Sequence, residues 1–169
     1  KKQRPSMKLV VTGCLTQRYK TQLAKGLPEV DLFIGTDEFP RLSSLLKDAP
    51  RTERVFARRT NYLYDGDLPK LNTLSKTSAY VKVAEGCQHN CAFCIIPAIR
   101  GPLRSRPIKN VLSEVRGLVD AGVQEVNLIA QDLAAYGRDQ GEDRLLSLLE
   151  QLEQVDRLAW IRLLYMYPE

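Results

Sequence analysis

Ala79-Tyr80-Val81-Lys82-Val83-Ala84, running directly into Glu85-Gly86-Cys87-Gln88-His89-Asn90-Cys91-Ala92-Phe93-Cys94, joins a strand-like run to a cysteine loop. Residues 79–84 alternate with the two-residue period of a strand, and the loop after them is expected to continue to Arg106. The three cysteines, spaced CxxxCxxC, offer soft thiolates that can converge on one centre from within a single loop. The chain has four cysteines in 169 residues and no secretory feature. Clustering of this kind therefore points to metal binding rather than to disulfides. Three is an informative count, because a four-iron cube held by three thiolates keeps one iron open to a substrate.

Zinc is the competing reading. His89 could complete a tetrahedron of three thiolates and one imidazole with Cys87, Cys91 and Cys94. A zinc loop more often pairs CxxC units, and zinc explains neither the strand before the loop nor the pattern after it. His89 is accordingly expected to be an exposed loop residue rather than a ligand.

Downstream, Pro107 sits where the first turn of a helix tolerates it. The helix it opens places Val111, Leu112, Val115, Leu118 and Val119 on one side and stops at Gly122. Residues 125–130 read as an apolar strand, 131–141 as a loop, 142–154 as a helix and 159–165 as a third strand. Strands alternating with helices through short links predict parallel strands in a barrel-like or open α/β sheet. In such folds chemistry gathers at the carboxyl ends of the strands, and the cysteine loop leaves one of those ends.

Upstream, residues 8–12 form a β-branched run ending in Gly13-Cys14, and 16–25 have a helical rhythm closed by Gly26. Residues 31–34 read as a second short strand. Gly35-Thr36-Asp37-Glu38 supplies cap residues for a helix carrying Phe39, Leu42, Leu45 and Leu46 on one face. Periodicity then fades among Pro, Asn, Asp, Gly and basic residues, as expected of a connection between domains. The expected organisation is the end of a small α/β domain over 1–50, a linker over 51–76 and an α/β barrel-like unit over 77–169. Neither end resembles a natural terminus, so the chain is expected to be a piece of a longer protein.

A hydrophobic content of 44 % with 27 % charged residues reads as soluble and globular. No apolar run approaches the roughly 18 residues that cross a bilayer, so no membrane partner is expected and the cytoplasm is the expected compartment. The net charge of +5 is spread among acidic residues and reads as a solvated surface rather than a nucleic-acid patch.

The loop closely resembles the signature of the radical-SAM superfamily, including the aromatic Phe93 before the last cysteine. That resemblance implies that Cys87, Cys91 and Cys94 hold a 4Fe-4S cluster whose open iron binds S-adenosylmethionine and cleaves it reductively. Tyr80-Val81-Lys82-Val83-Ala84-Glu85-Gly86-Cys87, Ile95-Ile96-Pro97 and Arg100-Gly101-Pro102-Leu103-Arg104-Ser105-Arg106-Pro107 are similar to the methylthiotransferase family within it. So are the upstream segments Val10-Val11-Thr12-Gly13-Cys14-Leu15-Thr16-Gln17-Arg18-Tyr19 and Asp31-Leu32-Phe33-Ile34-Gly35-Thr36. The family attaches a methylthio group either to tRNA adenosine (MiaB type) or to an aspartate of a small-subunit ribosomal protein (RimO type). Leu128-Ile129-Ala130-Gln131-Asp132, Tyr136-Gly137-Arg138-Asp139 and the ending Ile161-Arg162-Leu163-Leu164-Tyr165-Met166-Tyr167-Pro168-Glu169 resemble the RimO type.

The resemblance further implies a second 4Fe-4S cluster in the intact protein. Cys14 matches the last of its three cysteine ligands, and the other two would precede Lys1. By itself a lone cysteine after a strand reads as a structural thiol; the residues around Cys14 reverse that reading. Gln131 and Asp132 are expected near the amino group of S-adenosylmethionine, and Phe93 near its adenine. Arg104, with Arg100 and Arg106, is expected to pair with a carboxylate of the cofactor or of an acidic protein substrate. The implied partners are a small-subunit ribosomal protein, an electron donor of unassigned identity, and ribosomal RNA through a carboxy-terminal RNA-binding-like domain.

Overall fold

The structure is a computed structural model that describes residues 4, 6–48, 52–58, 62–64, 72–73 and 75–168. Much of the expected linker 51–76 lies outside them. The chain divides into two compact units, Lys1–Tyr62 with Ala98–Arg100, and Leu63–Pro97 with Gly101–Glu169.

In the first unit, β1 (Val10–Thr12), β2 (Leu32–Ile34) and β3 (Val55–Phe56) form a parallel sheet in the order β1-β2-β3. Val11 pairs with Phe33, and Phe33 with Val55. All three residues of the central strand are buried, as a strand covered on both faces requires. Leu32, Ile34, Leu45 and Phe56 form the core, with Val10, Leu42 and Leu46 packed against it.

Helix α1 (Cys14–Gly26) follows β1 and breaks at Lys20, whose φ is 43°. The turn into it depends on Gly13, at φ 113°, where a side chain would be strained. Cys14 is thereby the first residue of α1 and is exposed. A single 3-10 turn at Phe39–Arg41 leads into α2 (Leu42–Asp48). Phe39 is exposed, so the expected apolar face reduces to Leu42, Leu45 and Leu46. Strand β3 falls inside the stretch expected to be a linker, because two residues are too few to show a period.

After the first unit's strands come β4 (Ser78–Lys82), β5 (Ala84–Glu85), α3 (Ile96–Arg100), β6 (Arg104–Ser105), α4 (Ile108–Asp120), β7 (Glu125–Ile129), α5 (Leu145–Leu152) and β8 (Trp160–Leu163), all in the second unit except Ala98–Arg100 of α3. The main sheet is parallel in the order β4-β7-β8, with Val81 opposite Leu128 and Leu128 opposite Leu163. A small antiparallel pair, β5 with β6, stands beside it. Helix α4 buries Val111, Leu112, Val115, Leu118 and Val119, the face its apolar spacing predicts. With Leu148 and Leu152 of α5 these side chains join Val81, Val126 and Leu128 of the sheet in one core.

The expected loop over 85–106 is instead interrupted by β5, α3 and β6, elements of two to five residues that carry no readable period. Among the described residues no helix is long and apolar enough to cross a membrane.

Candidate metal centre at the carboxyl edge of the sheet

Because β4, β7 and β8 are parallel neighbours, three segments leave the sheet along one edge. They are the cysteine loop after β4 and β5, Gln131-Asp132 after β7, and Tyr165-Met166-Tyr167 after β8. Gly86 makes the first exit possible. Its φ is 74°, and a Cβ there would lie 2.0 Å from the carbonyl oxygen of Pro102. The Cys87 amide then donates to the carbonyl of Gly101 at 3.3 Å, closing the base of the loop.

Cys87, Cys91 and Cys94 are free, half-buried thiols. The Cys94 amide donates to the Cys91 carbonyl at 3.0 Å, so the last two share one turn. Among the described residues no three His, Cys, Asp or Glu side chains converge to hold a metal ion. The donor set nonetheless fits an iron-sulfur cluster by its chemistry: three soft thiols, none tied up in a disulfide, within one loop at the edge where such folds place their sites. Cys14 lies at the start of α1 in the other unit.

The residues expected around the cofactor have unequal environments. Gln131 is half-buried, and its Oε1 is shielded from solvent without a hydrogen-bond partner among the described residues. Asp132 is buried, and its Oδ1 accepts the Ala134 amide at 3.1 Å. Its Oδ2 accepts from Nε2 of His89 at 2.6 Å. Arg104 is half-buried in β6, its Nη1 donating to the Pro102 carbonyl at 3.0 Å. Phe93 is 95 % exposed.

His89 differs from expectation. It is half-buried, bonded to Asp132, and stacked on Tyr167 with ring centroids 4.5 Å apart. It is the only histidine in the chain and lies midway between Cys87 and Cys91, a signal that carried more than its reading as an exposed loop residue.

Arg106 also differs. It is 1 % exposed, and its Nη1 donates to the Lys82 carbonyl at 2.6 Å and to Glu114 Oε2 at 2.7 Å. Its guanidinium lies 4.9 Å from the ring centre of Tyr64. A side chain enclosed and bonded in this way cannot reach out to a cofactor or a protein substrate. Around it, Tyr136 donates to the Arg106 carbonyl at 2.6 Å, and Asp139 accepts the Ser105 amide at 2.9 Å, fastening the loop after β7 to β6.

No family model matches the chain. Among solved structures it is similar to the radical S-adenosylmethionine methyltransferase TsrM from Kitasatospora setae. One structure, with a tryptophan substrate and a SAM analogue bound, covers 90 % of this chain and 36 % of its own at TM-score 0.58 and 13 % identity. Another, with cobalamin and a [4Fe-4S] cluster bound, covers 92 % and 37 % at TM-score 0.56 and 12 % identity. The chain thus shares its α/β fold with part of these structures.

Curated relatives narrow this. The chain is 48 % identical over 164 residues to the ribosomal protein uS12 methylthiotransferase RimO of Citrifermentans bemidjiense, covering 95 % of this chain and 37 % of that protein. It is 50 % identical over 161 residues to the RimO of Myxococcus xanthus, covering 95 % and 33 %. By this similarity the chain belongs to the radical-SAM methylthiotransferase family, on the side of RimO. It spans a little over a third of the length of the relative from Citrifermentans bemidjiense.

Proposed function

We propose that the chain is part of an enzyme that adds a methylthio group to an aspartate β-carbon of ribosomal protein uS12, using S-adenosylmethionine and two 4Fe-4S clusters. The observation that carries this reading is a three-cysteine loop at the carboxyl edge of a parallel sheet, in a chain 48 % identical to a RimO over 164 residues. In this proposal 1–50, with β3 from the stretch that follows, contribute to an amino-terminal methylthiotransferase domain, the rest of 51–76 connects it, and 77–169 supply the first half of a radical-SAM barrel. The setting is cytoplasmic, and the substrate is the ribosomal protein, free or near ribosomal RNA.

Cys87, Cys91 and Cys94 would hold one cluster through their thiolates, and Cys14 would contribute to the second. Bound there, a cluster with one open iron supplies the electron that breaks a sulfonium C–S bond. The chain's own residues bind and orient. Gln131, just after β7, presents an acceptor that has no partner among the described residues and is suited to an ammonium donor. Arg104 offers a cation at the edge of β6, suited to a carboxylate. Phe93, exposed beside the last cysteine, offers an apolar face for the adenine.

Anaerobic reconstitution with iron and sulfide, followed by absorption and EPR spectra with and without S-adenosylmethionine, tests the reading. A brown protein whose EPR signal changes on adding S-adenosylmethionine, and loses that change in Cys91→Ala, is expected. A colourless protein retaining one tightly bound zinc would overturn it.

A further inference from the structure

We propose that His89 is a positioning residue, clamped between Asp132 and Tyr167, that fixes the segment between Cys87 and Cys91 to the carboxyl edge of the sheet before iron arrives. The inference rests on the reading that these cysteines hold an iron-sulfur cluster.

Loops that carry thiol ligands face a physical difficulty. Eight residues spanning three ligands contain few backbone hydrogen bonds of their own, and ordering them at metal uptake costs conformational entropy. Among the described residues the loop's backbone makes a bond at its base, Cys87 to Gly101, and one within its last turn, Cys94 to Cys91. Nothing in that backbone pattern fixes the three-residue spacer. The His89 side chain does, through two contacts that come from different strand ends.

The first contact is the bond from His89 Nε2 to Asp132 Oδ2 at 2.6 Å, across 43 residues of sequence. Asp132 is itself immobilised: it is 4 % exposed, and its other oxygen takes the Ala134 amide at 3.1 Å. A buried carboxylate with both oxygens engaged is a fixed anchor rather than a group free to turn toward a ligand. The second contact is the Tyr167 ring, stacked on His89 at 4.5 Å with the planes 30° apart. Asp132 follows β7 and Tyr167 follows β8, so the cysteine spacer is tied to both of the other strands of the sheet. Of the pair Gln131-Asp132, Gln131 Oε1 has no hydrogen-bond partner among the described residues, whereas both Asp132 oxygens accept a bond. The two residues therefore divide: Gln131 has an acceptor to spare, and Asp132 holds the loop.

Outer partners that orient ligands alter metal affinity by about 10- to 100-fold when removed. The test uses the full chain, unchanged and as His89→Ala, His89→Gln, Asp132→Ala and Tyr167→Ala. Two quantities are read: amide hydrogen exchange across 87–94 without iron, and the rate at which the reconstituted protein releases iron to a chelator. In His89→Ala and Asp132→Ala, exchange across 87–94 is expected to quicken about 10-fold while α4 is unchanged, and iron release to quicken by about 10- to 100-fold. His89→Gln, which retains an N–H donor, should recover part of both. Tyr167 is half exposed, so Tyr167→Ala keeps the test if Asp132→Ala fails to fold.

Variants that exchange and release iron like the unchanged chain would overturn the clamp. Faster exchange without faster iron release would overturn its role toward the metal. An unchanged chain that takes up no iron would instead overturn the iron-sulfur reading, and the exchange measurement would then decide the clamp alone.

Discussion

Arg106 and Glu114 form an ion pair 2.7 Å long between two side chains that are 1 % and 5 % exposed. The guanidinium also donates to the Lys82 carbonyl at 2.6 Å, so it ties the end of β4 to the first turns of α4. A buried pair of this kind adds little net stability over a well-packed apolar pair, but breaking it strands a charge.

Glu114→Ala is therefore expected to destabilise the protein by about 3–5 kcal/mol, measured by urea unfolding. A loss below about 1 kcal/mol would show that water reaches the guanidinium.

Tyr136 gives the fold an alkaline limit. Burial pushes its phenol up from 10.0 to about 12, against the opposing pull of the Arg106 guanidinium. Its hydroxyl is buried against the Arg106 carbonyl at 2.6 Å. The folded pKa is raised, so the unfolded chain loses its proton first. The contribution is whole below pH 10 and falls away as pH rises toward 12. The expected loss across that window is up to about 2 kcal/mol, after discounting for solvent screening. Unfolding curves at pH 9 to 12, for the unchanged chain and Tyr136→Phe, check this. The variant should start about 1 kcal/mol lower and show a flatter decline.

Gly86→Ala should disturb the cysteine loop at its root. The residue sits at positive φ, and its Cβ would meet the Pro102 carbonyl oxygen at 2.0 Å. A cost above about 1 kcal/mol is expected, together with poorer iron uptake by the Cys87, Cys91 and Cys94 loop. Normal stability and normal uptake would show that the turn relaxes freely.

Cys14 and Cys91 should separate in their effects. In the intact protein, Cys14→Ser is expected to remove about half of the bound iron and leave the S-adenosylmethionine-dependent EPR change in place. Cys91→Ala should remove that change and spare the other half. Iron and sulfide counts with EPR of both variants decide the assignment; equal loss of the S-adenosylmethionine response in both would contradict it.

Leu128→Ala tests the core that supports the edge. Leu128 is fully buried in the central strand between β4 and β8. A loss of about 2–5 kcal/mol is expected, read as a lower urea midpoint with an unchanged slope.

The sequence alone determined the parts of this protein that repeat with a period or sit close together along the chain. The 3.6-residue rhythm of 108–120 identified the five buried side chains of α4, and apolar runs located β2, β7 and β8 to within a few residues. The CxxxCxxC spacing put three thiols in one loop, because ligands within eight consecutive residues need no tertiary fold to share it. Elements of two residues, such as β3, β5 and β6, are shorter than any period and were not legible.

Tertiary structure decided which side chain answers which. Nothing local distinguishes Arg106, sealed against Glu114, from Arg104 two residues earlier at the edge. Likewise, nothing near His89 announces Asp132, because their meeting depends on a parallel register between strands far apart in sequence. Loop side chains have no period to reveal their direction, and pairing across a sheet is fixed only when the whole core packs.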